Sequence, residues 1–391
     1  MLKIMAVLGT RPETIKLAPV ISSLRQSGDV QVDLIVTGQH LELVDGLLKF
    51  FDLVPTANLR IMRKNQSIGA AAAAVLKGMD RILAKQRPDL LIVQGDTTSA
   101  FAAAASAFFH RIPVAHVEAG LRTNEKFSPF PEEINRRWIS AVTDFQFAPT
   151  RCARENLLRE GIAPDTVYVT GNTGIDALLE TVRRLETTRA PVPARYDRRF
   201  ILVTVHRREN HGERLTEICR GISTAGELFP DIDFVLPVHP NPNVGAVVRT
   251  ELGAKKNIHL LPPLDYVSFV SHMQHAEMIL TDSGGVQEEA PVFGKPILVL
   301  RDTTERPEGV EAGVAEMLGW QARDIVRRLS ELVPDPRSFF QRRSTGNPYG
   351  DGLAAPRIAA VLGQSFGVAS LVRSVPDFAP ATNQELVSTL S

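Results

Sequence analysis

Polar residues suited to proton or phosphate chemistry stand where apolar runs of the chain stop. Asp96 lies in Gln94-Gly95-Asp96-Thr97-Thr98, straight after the run 89–93, and Glu118 follows His116 and Val117 at the end of the run 114–117. A carboxylate at such a strand tip can take or return a proton, and burying it is costly without a partner, so Glu118 reads as functional. Asp96 reads equally as a catalytic carboxylate or as the N-cap of the next helix. His206, beside Arg207 and Arg208 after the run 200–205, is a working or a structural imidazole, and His239 occupies a similar tip in Pro237-Val238-His239-Pro240. Glu132 opens a helical stretch with Glu133, where the helix dipole alone could account for both.

Two other tips suit an anion. Ser283-Gly284-Gly285 at a helix start leaves backbone N–H groups unpaired and open to close approach, and the dipole there favours negative charge. Glu288 and Glu289 lie one turn further on, where a carboxylate could accept hydrogen bonds from sugar hydroxyls. Arg306, past the next apolar run, could add a cation for phosphate. Arg11 and Lys16 place two cations at another helix start, in Gly9-Thr10-Arg11-Pro12-Glu13. A capped turn with solvated charges accounts for either tip as well as a phosphate does.

The elements that must position these tips alternate along the chain. Short, almost wholly apolar runs near 3–8, 32–37, 89–93, 114–117, 145–148 and 167–170 are separated by helical patterns, which predicts an open parallel sheet covered on both faces. Residues 187–199, rich in Arg, Pro and Ala, read as an exposed linker. The alternation then restarts with strands near 200–205, 234–238, 258–261 and 297–300. The expected fold is therefore α/β, with two doubly wound parallel-sheet domains, and ligands outside the carboxyl ends of the strands. The alanine-rich 70–74 and 100–107 are expected in helices packed closely in a core.

Composition excludes several classes. The 391 residues carry 44 Lys+Arg against 44 Asp+Glu, so any anion site is local and neither a nucleic-acid face nor a membrane-attracting face is indicated. Cys152 and Cys219 are too far apart for a metal motif, and without HExxH, CxxC or an aspartate cluster no catalytic metal is expected. The first βα turn lacks G-x-G-x-x-G, which weakens a nicotinamide reading, and Ser283 lacks the G-x-S-x-G of a hydrolase elbow. No run approaches the roughly 18–20 apolar residues of a membrane span, and the N-terminus has no signal-peptide pattern, so a cytoplasmic protein is expected. Phosphate-suited tips, several carboxylates and a histidine on such a scaffold suggest an enzyme acting on a nucleotide sugar.

The order of motifs is more specific. GTRPE, TGQH, GDTTS, HVEAGLRT, PFPEEINR, TVHRREN, HPNPNV, TDSGGVQEEA, GKP, RDTTERPE and NPYGDG follow one another from Lys3 to Ile358. In that order they resemble the non-hydrolysing UDP-N-acetylglucosamine 2-epimerase family. The resemblance implies two Rossmann-like domains of the glycosyltransferase-B type facing a cleft, near 1–172 and 173–352, with a helix near 353–370 packing back on the first. It implies epimerisation at C2 of a UDP-sugar without NAD or metal, in a cytoplasmic homodimer. On the matching positions, Asp96, Glu118, Glu132 and His206 are catalytic. Arg11, Lys16, Ser283, Gly284, Gly285 and Arg306 hold nucleotide and phosphates, Glu289 the ribose, and Phe269 the uracil. Some members bind a second UDP-sugar as activator, and Gln39, His40, Gln66 and His239 match that region. Glu42 and Asn65 there replace a glutamine and an arginine, which implies a weakened effector site. An epimerase for another UDP-2-acetamido sugar, or a glycosyltransferase of the same architecture, would share most of these features.

Overall fold

A computed structural model describes residues 1–38, 41–63, 66–188, 198–340 and 346–379. They fall into two compact units, one of Met1–Ala177 with Gly350–Ala379 and one of Leu178–Tyr349.

The first unit runs β1 (Leu2–Leu8), α1 (Arg11–Arg25), β2 (Val30–Val36), α2 (Leu41–Phe50), β3 (Ala57–Asn58), α3 (Ile68–Gln86), β4 (Leu90–Gln94), α4 (Thr98–Phe109), β5 (Val114–Val117), α5 (Glu132–Ala141), β6 (Phe145–Ala148), α6 (Arg151–Arg159) and β7 (Val167–Val169). Its seven strands are all parallel, in the order β3-β2-β1-β4-β5-β6-β7. Every residue of β4 is buried, as expected of an interior strand with helices on both faces. On α4, Ala100, Ala102, Ala103, Ala104 and Ala107 are buried against Leu91, Val93 and the α3 residues Val75 and Met79, since small side chains let the helix lie close to the sheet. The second alanine run differs from expectation. None of residues 70–74 is buried, because α3 turns Val75, Met79 and Leu83 to the core and leaves that run at its rim.

The boundary between units falls within α7 (Thr173–Thr188). This helix continues through Thr187 and Thr188, which the composition assigns to the linker; residues 189–197 lie outside the described residues. The second unit continues with β8 (Phe200–Thr204), α8 (Glu213–Leu228), β9 (Asp233–Pro237), α9 (Pro242–Leu252), β10 (Ile258–Leu261), α10 (Tyr266–His275), β11 (Met278–Thr281), α11 (Gly284–Glu289), β12 (Ile297–Val299), α12 (Pro307–Glu311), β13 (Ala315–Met317) and α13 (Ala322–Leu332). Its six strands are parallel in the order β10-β9-β8-β11-β12-β13. The edge strands β3 and β13 and the five-residue α12 gave too short a pattern to be anticipated. The helix expected to start at Ser283-Gly284-Gly285 is short, α11 giving way to a 3₁₀ turn at Ala290–Phe293.

The last helix, α14 (Ala354–Phe366), belongs to the first unit and packs on α1. Its first turn is capped from α7: Asp176 accepts the backbone N–H of Ala355 at 2.8 Å and of Ala354 at 3.3 Å. Among the described residues no helix is long and apolar enough to cross a membrane.

Each sheet reverses its winding once, between β1 and β4 in the first unit and between β8 and β11 in the second. The loops after those strands carry Arg11 and Asp96 in one case, His206 and Ser283 in the other. Such switch points are where open α/β sheets leave room for a ligand.

Candidate active site

In the first unit, Glu13 ties the two central tips together. It is buried and accepts hydrogen bonds from the Gly9 N–H at 2.6 Å, the Thr10 N–H at 2.7 Å, the Thr10 hydroxyl at 3.0 Å and the Thr97 hydroxyl. Burial pushes its pKa up while those bonds oppose the shift. One carboxylate thereby fixes the loop carrying Arg11 to the loop carrying Asp96.

The N-cap of α4 is Thr97, whose hydroxyl accepts the Ala100 N–H at 3.0 Å. Asp96 is thus spared that duty. Its Oδ2 takes Nε of Arg136 at 2.9 Å and Nη2 at 2.7 Å, while Nη1 of the same guanidinium reaches the buried Glu133 at 3.0 Å. Glu133 also accepts the N–H groups of Thr123 and Asn124, at 3.0 and 3.2 Å, which anchors α5 beneath the loop after β5.

Glu118 has left-handed backbone at φ 68°, a costly conformation for a residue with a side chain and one often found at working sites. Its Oε2 accepts from Lys16 Nζ of α1 and from Gln94 Nε2 of β4, the latter at 3.1 Å. Lys16, expected at a phosphate, is therefore engaged with a carboxylate 102 positions along the chain. Glu132 is the half-buried first residue of α5, one position from Glu133. Arg11 is half-buried at the start of α1.

The second unit repeats the plan with different chemistry. Asp282, fully buried after β11, accepts the His206 N–H at 3.0 Å, the Arg207 N–H at 2.9 Å and Asn210 Nδ2 at 3.0 Å. Nδ1 of His206 lies 3.3 Å from Asp282 Oδ1. Burial lowers the His206 pKa, with Asp282 working in the opposite sense. The His239 ring stacks on His206 with centroids 5.7 Å apart.

Ser283 is the N-cap of α11 and donates its N–H to the Thr281 hydroxyl at 2.9 Å. The Arg306 guanidinium lies over Gly284, where an added Cβ would come within 2.8 Å of Cζ and push the guanidinium aside. Arg306 Nε donates to buried Glu288 at 2.8 Å. That contact separates the acidic pair: Glu288 holds the arginine, and Glu289 is the half-buried member. Behind them, Arg301 bridges Glu209 at 2.6 Å and Glu305 at 2.7 Å. Phe269 is half-buried on α10.

Of the effector positions, Gln39 and His40 lie outside the described residues, as does Asn65. Gln66 accepts the Arg63 N–H at 3.2 Å and lines a cavity of about 310 Å³ with Ile61, Met62 and Ser99. Among the described residues no group of three or more His, Cys, Asp or Glu could hold a metal ion.

Sequence reading passed over Gln94, Arg136 and Asp282. Asp282 had a signal: Thr281-Asp282 after β11 parallels Gly95-Asp96 after β4, each an aspartate at the end of a buried strand.

The profile of the UDP-N-acetylglucosamine 2-epimerase family matches residues 22–363. The chain belongs to this family. Across 369 residues it is 44% identical to the UDP-N-acetylglucosamine 2-epimerase of Escherichia coli O157:H7, covering 92% of this chain and 98% of that one. The crystal structure of the Neisseria meningitidis UDP-GlcNAc 2-epimerase bound to UDP-GlcNAc superposes with a TM-score of 0.87 at 41% identity, over 93% of this chain and 100% of that one. The Methanocaldococcus jannaschii UDP-GlcNAc 2-epimerase, in complex with UDP-GlcNAc and UDP, gives 0.80 at 35% identity, over 93% and 100%. The two parallel-sheet α/β domains of this family member are thus shared with solved UDP-GlcNAc 2-epimerases of the glycosyltransferase-B type.

Proposed function

We propose that the enzyme interconverts UDP-N-acetylglucosamine and UDP-N-acetylmannosamine by eliminating UDP across C1–C2 and adding it back. The C2 proton is not acidic in the intact sugar, so its removal has to be driven by departure of the diphosphate. A carboxylate takes that proton, the C–H electron pair becomes the C1=C2 bond of 2-acetamidoglucal, and the C1–O pair leaves on the β-phosphate of UDP. In the return step a carboxylic acid protonates C2 from the opposite face while UDP oxygen attacks C1. The observation that carries this reading is the pairing of Asp96 with Arg136 and of Glu118 with Lys16 at adjacent strand tips, two carboxylates each held by a cation.

Asp96, Glu118 and Glu132 form the acid–base set. His206 stabilises the departing diphosphate together with Arg11, Arg306 and the N–H groups after Ser283, including Gly284 and Gly285. Glu289 takes the ribose hydroxyls and Phe269 the uracil. Lys16 serves Glu118 as well as any phosphate near it. The enzyme works as a cytoplasmic homodimer whose product supplies cell-surface polysaccharide synthesis. Glu42 and Asn65 add an anion and remove a cation, which weakens any site for a second, activating UDP-sugar.

Incubation with UDP-N-acetylglucosamine alone, without nicotinamide, tests the reading by proton NMR of the anomeric signals. Both epimers are expected to appear; an unchanged sugar would overturn it.

A further inference from the structure

His116 has no part in the scheme above, yet it sits where a polar residue is hard to explain. It lies in β5, an interior strand flanked by β4 and β6, where a parallel sheet favours apolar residues on both faces. The side chain is fully buried. Nε2 is 2.7 Å from the carbonyl oxygen of Gly95. A carbonyl can only accept, so Nε2 carries the hydrogen. Burial holds the pKa down to about 4, the ring is neutral, and Nδ1 is a bare acceptor.

Nδ1 has no hydrogen-bond donor among the described residues. An unpaired buried acceptor is costly, and an interior strand ordinarily takes an apolar residue at such a position. The cost is offset at Nε2 alone. There the imidazole grips Gly95, whose φ of 71° turns the chain from β4 into Asp96. The same turn is held by the Gly95 N–H on the Val117 carbonyl at 3.0 Å and by Asn135 Nδ2 on the Asp96 carbonyl at 2.9 Å. Arg136 fixes the far end of the Asp96 side chain. Without His116, the Gly95–Asp96 peptide would lose its partner at the one residue whose backbone has least resistance to rotation.

We propose that His116 is a positioning residue for Asp96, fixing through the Gly95 carbonyl the turn that presents this carboxylate to C2 of the sugar. The inference rests on Asp96 belonging to the acid–base set. Misplacing a reacting group by about 1 Å can cost on the order of 100-fold in rate, with little effect on binding elsewhere.

The test measures deuterium exchange into C2 of UDP-N-acetylglucosamine by the full-length enzyme and its variants. His116→Phe keeps a planar ring, a larger one, and removes the donor; its kcat should fall about 10- to 100-fold with KM nearly unchanged. His116→Gln carries an amide nitrogen at the reach of Nε2 and should recover most of the rate. His116→Asn carries it at the reach of Nδ1 and should not. In an Asp96→Asn background, His116→Phe should cause no further loss, because the residue it positions is already disabled. Equal rates for the Gln and Asn variants, or losses that multiply in the double variant, would overturn the proposal. The Gln and Asn comparison still decides if the Phe variant does not fold. Wild-type exchange by Asp96→Asn alone would instead remove Asp96 from the acid–base set.

Discussion

Arg136 meets Asp96 through two nitrogens, Nε at 2.9 Å and Nη2 at 2.7 Å, while its third nitrogen reaches Glu133 at 3.0 Å. A planar guanidinium can serve both carboxylates at fixed angles, and a lysine cannot. Arg136→Lys should therefore keep the local charge and lose the geometry. The expected result is a fall in kcat of about 10- to 100-fold with UDP affinity retained, measured by steady-state epimerisation and by calorimetry. Wild-type kcat in that variant would show that the bidentate hold is immaterial.

Glu118→Gln replaces a proton acceptor by a group of the same shape. Loss of a general base costs about 10²–10⁴-fold, so C2 exchange should fall by that much. The substitution also sets an amide against Lys16 and Gln94, both donors, so a small loss of thermal stability should accompany it. Binding of UDP, which involves neither C2 nor its proton, should stay the same.

His206 offers a proton-linkage test. Burial depresses its pKa in the free enzyme, with Asp282 acting against that effect. A diphosphate brought beside the ring favours the charged form and raises the pKa again. Between the two values the enzyme must take up a proton as UDP binds. Calorimetry near pH 6.5, about the ordinary value for the imidazole, in buffers of different ionisation enthalpy should show greater uptake by the parent than by His206→Asn. Equal uptake would detach His206 from the diphosphate.

Glu305 should register in acid. Burial opposes its charge, but the hydrogen bond from Arg301 and the charges of Arg306 and Arg301 bring its pKa from the ordinary 4.5 to about 2. A depressed carboxyl contributes stability that is fully present above the unfolded value and is lost as pH falls from about 4.5 towards 2. Glu305 keeps some solvent contact, so the contribution is discounted to about 1–2 kcal/mol. Glu305→Gln should lower unfolding free energy by that amount near pH 7 and by less near pH 3. A constant difference across that range would contradict the assignment.

Much of this was legible in the chain, for a physical reason. Interior strands of a parallel sheet are apolar on both faces, so β4, β5 and β8 stand out as runs and the polar residues that end them stand out as tips. That located Asp96, Glu118 and His206. What the tips are bonded to was hidden, because the partners come from elsewhere in the sheet: Lys16 from α1 for Glu118, Arg136 from α5 for Asp96. Local pattern contains the strand and not its neighbours. Asp282 passed as a turn residue because an aspartate before Ser-Gly-Gly has an ordinary local explanation, and only the fold shows it receiving the backbone of His206. Residues 70–74 misled in the opposite way, since alanine suits both a tight core and an exposed helix rim.

The central claim is that the C1–O bond breaks before C2 is reprotonated. UDP-N-acetylglucosamine carrying oxygen-18 in the bridge between C1 and the β-phosphorus tests it directly. If UDP departs, its β-phosphate can rotate before returning, and the label spreads into the non-bridging positions at a rate comparable to epimerisation, visible by phosphorus NMR. Epimerisation that leaves all of the label in the bridge would contradict the elimination mechanism.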